Sequence, residues 1–358
     1  QLQLLQNQST GYQREARLMV NGMDNSLLFH AENQNLLQSL QKIEGVNAVS
    51  LLDMQITDTI SQAMDIQLPG QNVDTALPPI SQMGTGFDIA KTAGLTLLAG
   101  RDFSETYQSD WYQKHDDHAT AAVIITESLA RKAGYENLQD VIGQQWLLPG
   151  DVPVLRMQVV GVVADIQVGS ALKQQEPLIL ICGRSPMTYA NIVLSMQPQQ
   201  ALAARAKVQD LLTERLQRQD LKLSWLSDDY NAIYQNQQRQ GKVIALFAAL
   251  AIALTCVGLF GLAAFSAEQR SREVAMRKVL GAGRFNLVNL LASEYIKLMA
   301  ISAVLAIPAT FWALNSWLSD FSVRISQNPL WYLLAAAATF GERDGESASE
   351  QGDPHHPP

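Results

Sequence analysis

Two stretches of the chain show no polar periodicity at all: Val243 to Ser266 runs 24 residues without a charged side chain, and Leu298 to Ser319 runs 22. A helix rises about 1.5 Å per residue, so about 20 residues cross the ~30 Å hydrocarbon layer of a bilayer. Both stretches are therefore predicted to be transmembrane helices. A third apolar run opens on Trp331 and Tyr332 and stops at Phe340, the start of a truncated further helix. Residues 1–241 carry shorter periods. Arg17 to Val20 and Val46 to Leu52 read as strands around a helix from about Glu32 to Ile43, in which Leu36, Leu37, Leu40 and Ile43 share one face. Ile192 to Met196, Ala201 to Arg218 and Leu221 to Trp225 repeat the strand, helix, strand order. Between these units, β-branched runs begin near Ala121 (AAVIIT) and Met157 (MQVVGVVADI), with SLARKAG as a helix closed by Gly134.

The pattern predicts an α+β extracytoplasmic domain, built of two split βαβ units plus an inserted α/β subdomain, followed by all-α transmembrane helices. The expected division is a domain at 1–241, with split halves at 12–86 and 189–238 around an insertion at 87–188. Transmembrane helices follow at 242–266 and 298–319, joined by a loop at 267–297. A short outer loop occupies 320–330, the truncated helix begins at 331–340, and the polar tail at 341–358 is read as disordered or non-native.

Charge sets the orientation. Residues 1–241 hold 17 Lys and Arg against 25 Asp and Glu, whereas 242–358 hold 9 of each. No basic face offers itself to phosphates, which argues against nucleic acid as a partner. In the 267–297 loop, Arg270, Arg272, Arg277, Lys278, Arg284 and Lys297 outnumber Glu268, Glu273 and Glu294. A short loop rich in Lys and Arg stays in the cytoplasm, which puts the acidic domain outside. Cys182 falls in a strand-like run and Cys256 in the first apolar stretch, so no disulfide is expected.

The same loop carries a helix signal of its own. Ser266 and Gln269 form an S-x-x-Q cap and Gly281 is a stop, which predicts a helix from about Ala267 to Leu280. Its Ala275, Met276, Val279 and Leu280 share one face, while Arg270, Arg277 and Lys278 fall on the other. Residues alone leave this helix open to two roles, an interfacial anchor against lipid headgroups or a docking element. In the first span, Ala245, Ala249, Ala253 and Gly261 recur at multiples of four, with Gly258 beside them. Such a stripe lets helices approach closely, within one chain or between two copies. Pro308 predicts a kink in the second span.

Catalytic chemistry finds no foothold. There is no G-x-x-x-x-G-K-[ST] loop to cradle ATP phosphates. The run KHDDH holds His115, Asp116, Asp117 and His118, which could ligate a metal but reads better as a solvated loop. His355 and His356 lie in the tail, and no Ser, His and Asp set can be assembled. The chain is expected to have no catalytic residue, no metal and no cofactor of its own.

Several of these segments resemble known families. GLTLLAGRDFS at Gly94–Ser104, VVGVVADIQ at Val159–Gln167 and DDYNAIYQNQQRQGK at Asp228–Lys242 resemble the MacB-like extracytoplasmic core domain. FSAEQRSREVAMRKVLGAGRFNLVNLLASEYIKL, Phe265 to Leu298, resembles the loop and second-span entrance of FtsX-like permease subunits of ABC transporters, and WALNSWLSDFSVRI resembles the stretch beyond that entrance in the same family. The resemblance covers nearly all of residues 1–340. The sequence starts at Gln1, and QLQLLQNQSTGYQRE looks like the end of a preceding span, so a piece of a longer polypeptide is expected, its C-terminal copy of a repeated unit.

The resemblance implies a multi-pass protein of the inner membrane that transmits cytoplasmic ATP-driven motion to the outer domain, for efflux or export. It implies a separate ABC-type ATPase subunit carrying ATP and Mg, with a coupling helix of Arg270, Arg272, Glu273, Arg277, Lys278 and Gly281 docked into it. Further implied partners are membrane lipid, a second copy or a second permease half, and a periplasmic adaptor. The alternatives are a lipoprotein-extracting transporter subunit and a membrane-tethered extracytoplasmic binding or sensor module.

Overall fold

The structure, a computed structural model, describes residues 10–29, 34–60, 62–68, 78–148, 154–170, 175–185, 187–217, 220–269, 272, 276, 300–316, 328 and 330. The chain divides into two units, Leu2–Gln238 and, with Gln1, Arg239–Pro358. In chain order the first unit contains β1 (Arg17–Asp24), α1 (Gln34–Gln41), β2 (Val46–Leu52), β3 (Ala63–Met64), β4 (Ile80–Thr85), α2 (Ile89–Ala93) and β5 (Leu97–Gly100). It continues with β6 (Gln113–Lys114), β7 (His118–Thr126), α3 (Glu127–Lys132), β8 (Gln145–Leu148), β9 (Val154–Val163) and β10 (Leu178–Cys182). Then come β11 (Tyr189–Met196), α4 (Ala201–Leu216), β12 (Lys222–Trp225) and α5 (Leu226–Ile233), before α6 (Gln235–Gln269) leads into the second unit. The second unit also holds the apolar helix α7 (Ala300–Ser316).

Among the described residues all twelve strands belong to one sheet, in the order β12-β1-β11-β2-β4-β10-β7-β9-β5, with β3, β6 and β8 paired to β4, β7 and β9. In its first four strands every neighbouring pair is antiparallel. β1 and β2 thus run parallel with β11 between them, and β11 and β12 run parallel with β1 between them. Each strand–helix–strand unit is split by a strand of the other, the ferredoxin-like arrangement. Leu37 and Leu40 of α1 and Ala201, Ala204, Val208 and Leu212 of α4 cover the face that carries Leu18, Val20, Val49, Leu51, Ile192 and Leu194. Each Leu or Val so buried contributes about 1.5–3 kcal/mol.

Residues 63–182 extend this sheet instead of standing apart from it. The sequence boundary at 87 is displaced, because β4 pairs in parallel with β10 of the inserted part and β3 pairs with β4. The join to the split units is narrow: Leu52 opposite Thr85 is the sole ladder pair between β2 and β4 among the described residues. A shared core reinforces it, since Met19, Leu52 and Val193 pack in one cluster with Met83, Ala122, Ile124 and Leu180. The other face of the extension has its own core. Ala119, Ala121, Val123 and Ile125 of β7 point into it, while Ala122 and Ile124 point the opposite way. Both faces of β7 are buried from Ala121 to Ile125, which is why that part of its sequence is an unbroken apolar run. Cys182 lies in the shared core and Cys256 is exposed on α6, both as free thiols.

Candidate transmission site

Within the apolar stretch of helix α6, Thr255 donates its hydroxyl hydrogen to the Ala251 carbonyl at 2.8 Å. Every described side chain from Val243 to Phe265 is exposed, including Val243 at 51% and Phe260 at 77%. A helix that is apolar all round needs either a protein interior or lipid. Among the described residues α6 is the one helix long and apolar enough to cross a membrane, over Gln238–Leu262; α7 is apolar but shorter. Pro308 sits within α7, which is helical on both sides of it. Ala245, Ala249, Ala253, Gly258 and Gly261 all lie on α6, and a Cβ placed on Gly258 or Gly261 would meet nothing within 4 Å.

The expected helix start at Ser266 is not a start. α6 runs through it to Gln269. An N-cap needs extended backbone, and neither Gly nor Pro interrupts the helix-forming run around Ala263, Ala264 and Phe265. Arg272 and Met276 are helical and exposed. Arg270, Glu273, Arg277, Lys278 and Gly281 lie outside the described residues, as do the 331–340 run and the tail.

Where α6 leaves the folded unit, the structure joins segments that are distant in sequence. Arg14 stacks its guanidinium over the Tyr230 ring at 4.5 Å from the centroid. Tyr230 and Tyr234 meet edge to face, centroids 5.4 Å apart, with their hydroxyls at 3.3 Å. Tyr12 is buried close by, and burial together with the neighbouring Tyr230 phenol raises its phenol well above the ordinary tyrosine range. Burial raises Tyr230 likewise. The stretch Thr10–Gln13 is held at both ends: the Gln167 N–H donates to the Thr10 carbonyl at 2.8 Å, and the Gln13 N–H donates to the Ala93 carbonyl at 2.9 Å. Gly11, at φ +78°, is required there because a Cβ would sit 2.1 Å from the Asp165 carbonyl oxygen. On the other side of α5, Ser224 donates to Asp229 at 2.6 Å and accepts from the Asn21 amide at 3.0 Å.

This junction ties the segment at Thr10–Arg17 to the helix that precedes α6. Sequence reading missed it, although the Tyr-x-x-x-Tyr spacing of Tyr230 and Tyr234 was a visible signal for two rings on one helical face.

Residues 245–341 match the family model described as FtsX-like permease C-terminal. That stretch of the chain is similar to the C-terminal part of FtsX-like permeases. That segment takes in the small-residue stripe of α6, α7 and all six residues of the expected coupling helix. The chain is also similar to a macrolide export ATP-binding/permease protein MacB from Nitrosomonas europaea, 21% identical over 202 residues, 54% of this chain and 29% of that protein. It thus spans under a third of that relative's length. Two solved structures are similar as well. One is the periplasmic region of MacB from Actinobacillus actinomycetemcomitans, at 14% identity and TM-score 0.41, covering 63% of this chain and 95% of that one. The other is a domain of a putative permease protein from Porphyromonas gingivalis, at 14% identity and TM-score 0.38, covering 60% and 91%.

Proposed function

We propose that this chain is the permease part of an ABC transporter of the MacB/FtsX type, set in the inner membrane with its Leu2–Gln238 unit outside. The observation that carries the proposal is the FtsX-like match over 245–341 falling on α6, an exposed apolar helix that continues from a folded domain. A separate ATPase subunit binds ATP and Mg and hydrolyses the nucleotide. Its closure pushes the basic segment after α6, where Arg270, Arg272, Glu273, Arg277, Lys278 and Gly281 form the docking surface. α6 then passes the displacement to Tyr234 and Tyr230, and the Arg14 and Tyr12 contacts spread it into the sheet.

Work is done on a substrate outside the membrane, in the direction of efflux or export, with a periplasmic adaptor receiving it. The stripe at Ala245, Ala249, Ala253, Gly258 and Gly261 packs against a neighbouring span, in a second copy or a second permease half. No ionisable Asp, Glu, Lys or Arg lies between Val243 and Ser266. A polar pathway through the span would call for one, which favours transmission of force over conduction through this helix.

Arg277→Glu combined with Lys278→Glu is expected to leave membrane insertion intact while co-purification of the ATPase falls at least tenfold. Unchanged co-purification would remove the docking role from this segment.

A further inference from the structure

The ladder of β1 and β11 shifts register between Val20 and Met23, a bulge at Asn21 and Gly22. Beside it a cleft of about 420 Å³ opens between β1, the loop after β2 and the start of β11. This is within the size range of small-molecule sites, about 300–1,000 Å³. Among the described residues, the charged ones that line it are Asp53 and Asp58, and no basic one does. Asp53 is only 4% exposed, and among the described residues its Oδ1 has no hydrogen-bond partner. The strand β4 comes so close that a Cβ on Gly84 would lie 2.8 Å from Asp53 Oδ2 and 2.2 Å from the Arg184 carbonyl oxygen.

A carboxylate buried in this way is costly without a counter-charge. Burial pushes the Asp53 carboxyl up to about 7, and hydrogen bonds from Gly84 and Ser185 offset only part of it. The remaining walls say which cation fits. Met54, Met187 and Tyr189 offer two thioethers and a ring, with Tyr189 62% exposed at the rim. Such walls suit an apolar body and do not replace the water shell of a hard metal ion. Among the described residues no group of three His, Cys, Asp or Glu could hold a metal. The Asn191 Oδ1 already accepts from the Gly22 N–H at 3.2 Å, which ties β11 to the bulge of β1 at the cleft.

We propose that this cleft binds a small organic cation, a primary ammonium on an apolar body, with the Asp53 carboxylate as its counter-ion and Asp58 as the second negative charge. The site lies wholly in the Leu2–Gln238 unit and does not depend on the transport reading.

The test uses the full chain in lipid nanodiscs, titrated with phenethylammonium by ligand-observed NMR, with empty nanodiscs subtracted. Phenethyl alcohol serves as the neutral analogue and calcium chloride as the competing metal. The ammonium is expected to bind at least tenfold more tightly than the alcohol, and Asp53→Asn to bring the two together with little change for the alcohol. Asp58→Asn, at a less buried position, should weaken the ammonium by a few-fold, which keeps the proposal testable should the Asp53 variant fail to fold. Equal binding of the two probes overturns the proposal. So does ammonium binding unchanged by both substitutions, or displacement of the probe by micromolar calcium, which would make this a metal site.

Discussion

Tyr12 buries a phenol whose hydroxyl finds no hydrogen-bond partner among the described residues, whereas the Tyr230 and Tyr234 hydroxyls meet at 3.3 Å. An unsatisfied buried hydroxyl costs about 1–3 kcal/mol. Tyr12→Phe is therefore expected to leave the fold unchanged or stabilise it by about 1 kcal/mol. Tyr230→Ala, which empties the ring position between Arg14 and Tyr234, is expected to cost about 3–5 kcal/mol. Near-UV circular dichroism against urea, on the chain in detergent, orders the two variants. Asp53 adds a pH dependence. Its carboxyl is raised to about 7 in the fold, from an ordinary value of 3.8. Between those values the folded chain holds a proton that the unfolded chain has released, so stability falls as pH rises, by at most about 1.4 kcal/mol per pH unit. Asp53→Asn is expected to flatten that slope and to raise the unfolding midpoint at pH 8 relative to the parent; an unchanged slope would mean that the carboxyl ionises freely in the fold. Nothing in the sequence marks Asp53 as buried, since it follows the strand VSLL as an ordinary turn residue would.

At the scale of elements, legibility tracked burial. β7 and the MQVVGVV part of β9 stand out in sequence because both faces of the strand are covered, and α1 stands out because Leu37 and Leu40 recur on one face. β4, with the sequence ISQMGT, carries no such mark: its place is set by β10 on one side and by β2 and β3 on the other, partners that the local sequence does not name. β4 was therefore not read as a strand from the sequence. The cap signal at Ser266 failed for a related reason, because a capping side chain acts only where the backbone has already left the helix. The stretch of α6 from Val243 to Ser266 was legible as an apolar run, although the helix itself spans Gln235–Gln269, and its composition makes a prediction. Ala253→Lys places a charge near the middle of the span, at a cost of about 2.5–3.5 kcal/mol to insertion. The membrane-inserted fraction, read by alkaline extraction, is expected to drop sharply, while Ala253→Leu inserts like the parent.

The whole molecule joins an acidic folded unit, an apolar helix and a basic segment in that order along the chain. α6 begins at Gln235, next in sequence to Tyr234, and runs to Gln269, just before the arginine-rich stretch of the sequence. The proposed function requires those two ends to lie on opposite faces of the bilayer. Cysteine accessibility measures this directly. With Cys256 replaced by Ser, Leu202→Cys on the exposed surface of α4 and Met276→Cys beyond α6 report the two ends, both positions being exposed. A membrane-impermeant maleimide applied from outside to spheroplasts is expected to label Leu202→Cys, and to label Met276→Cys only after the membrane is opened. Labelling of both from the same side, or of Met276→Cys alone from outside, would contradict the account.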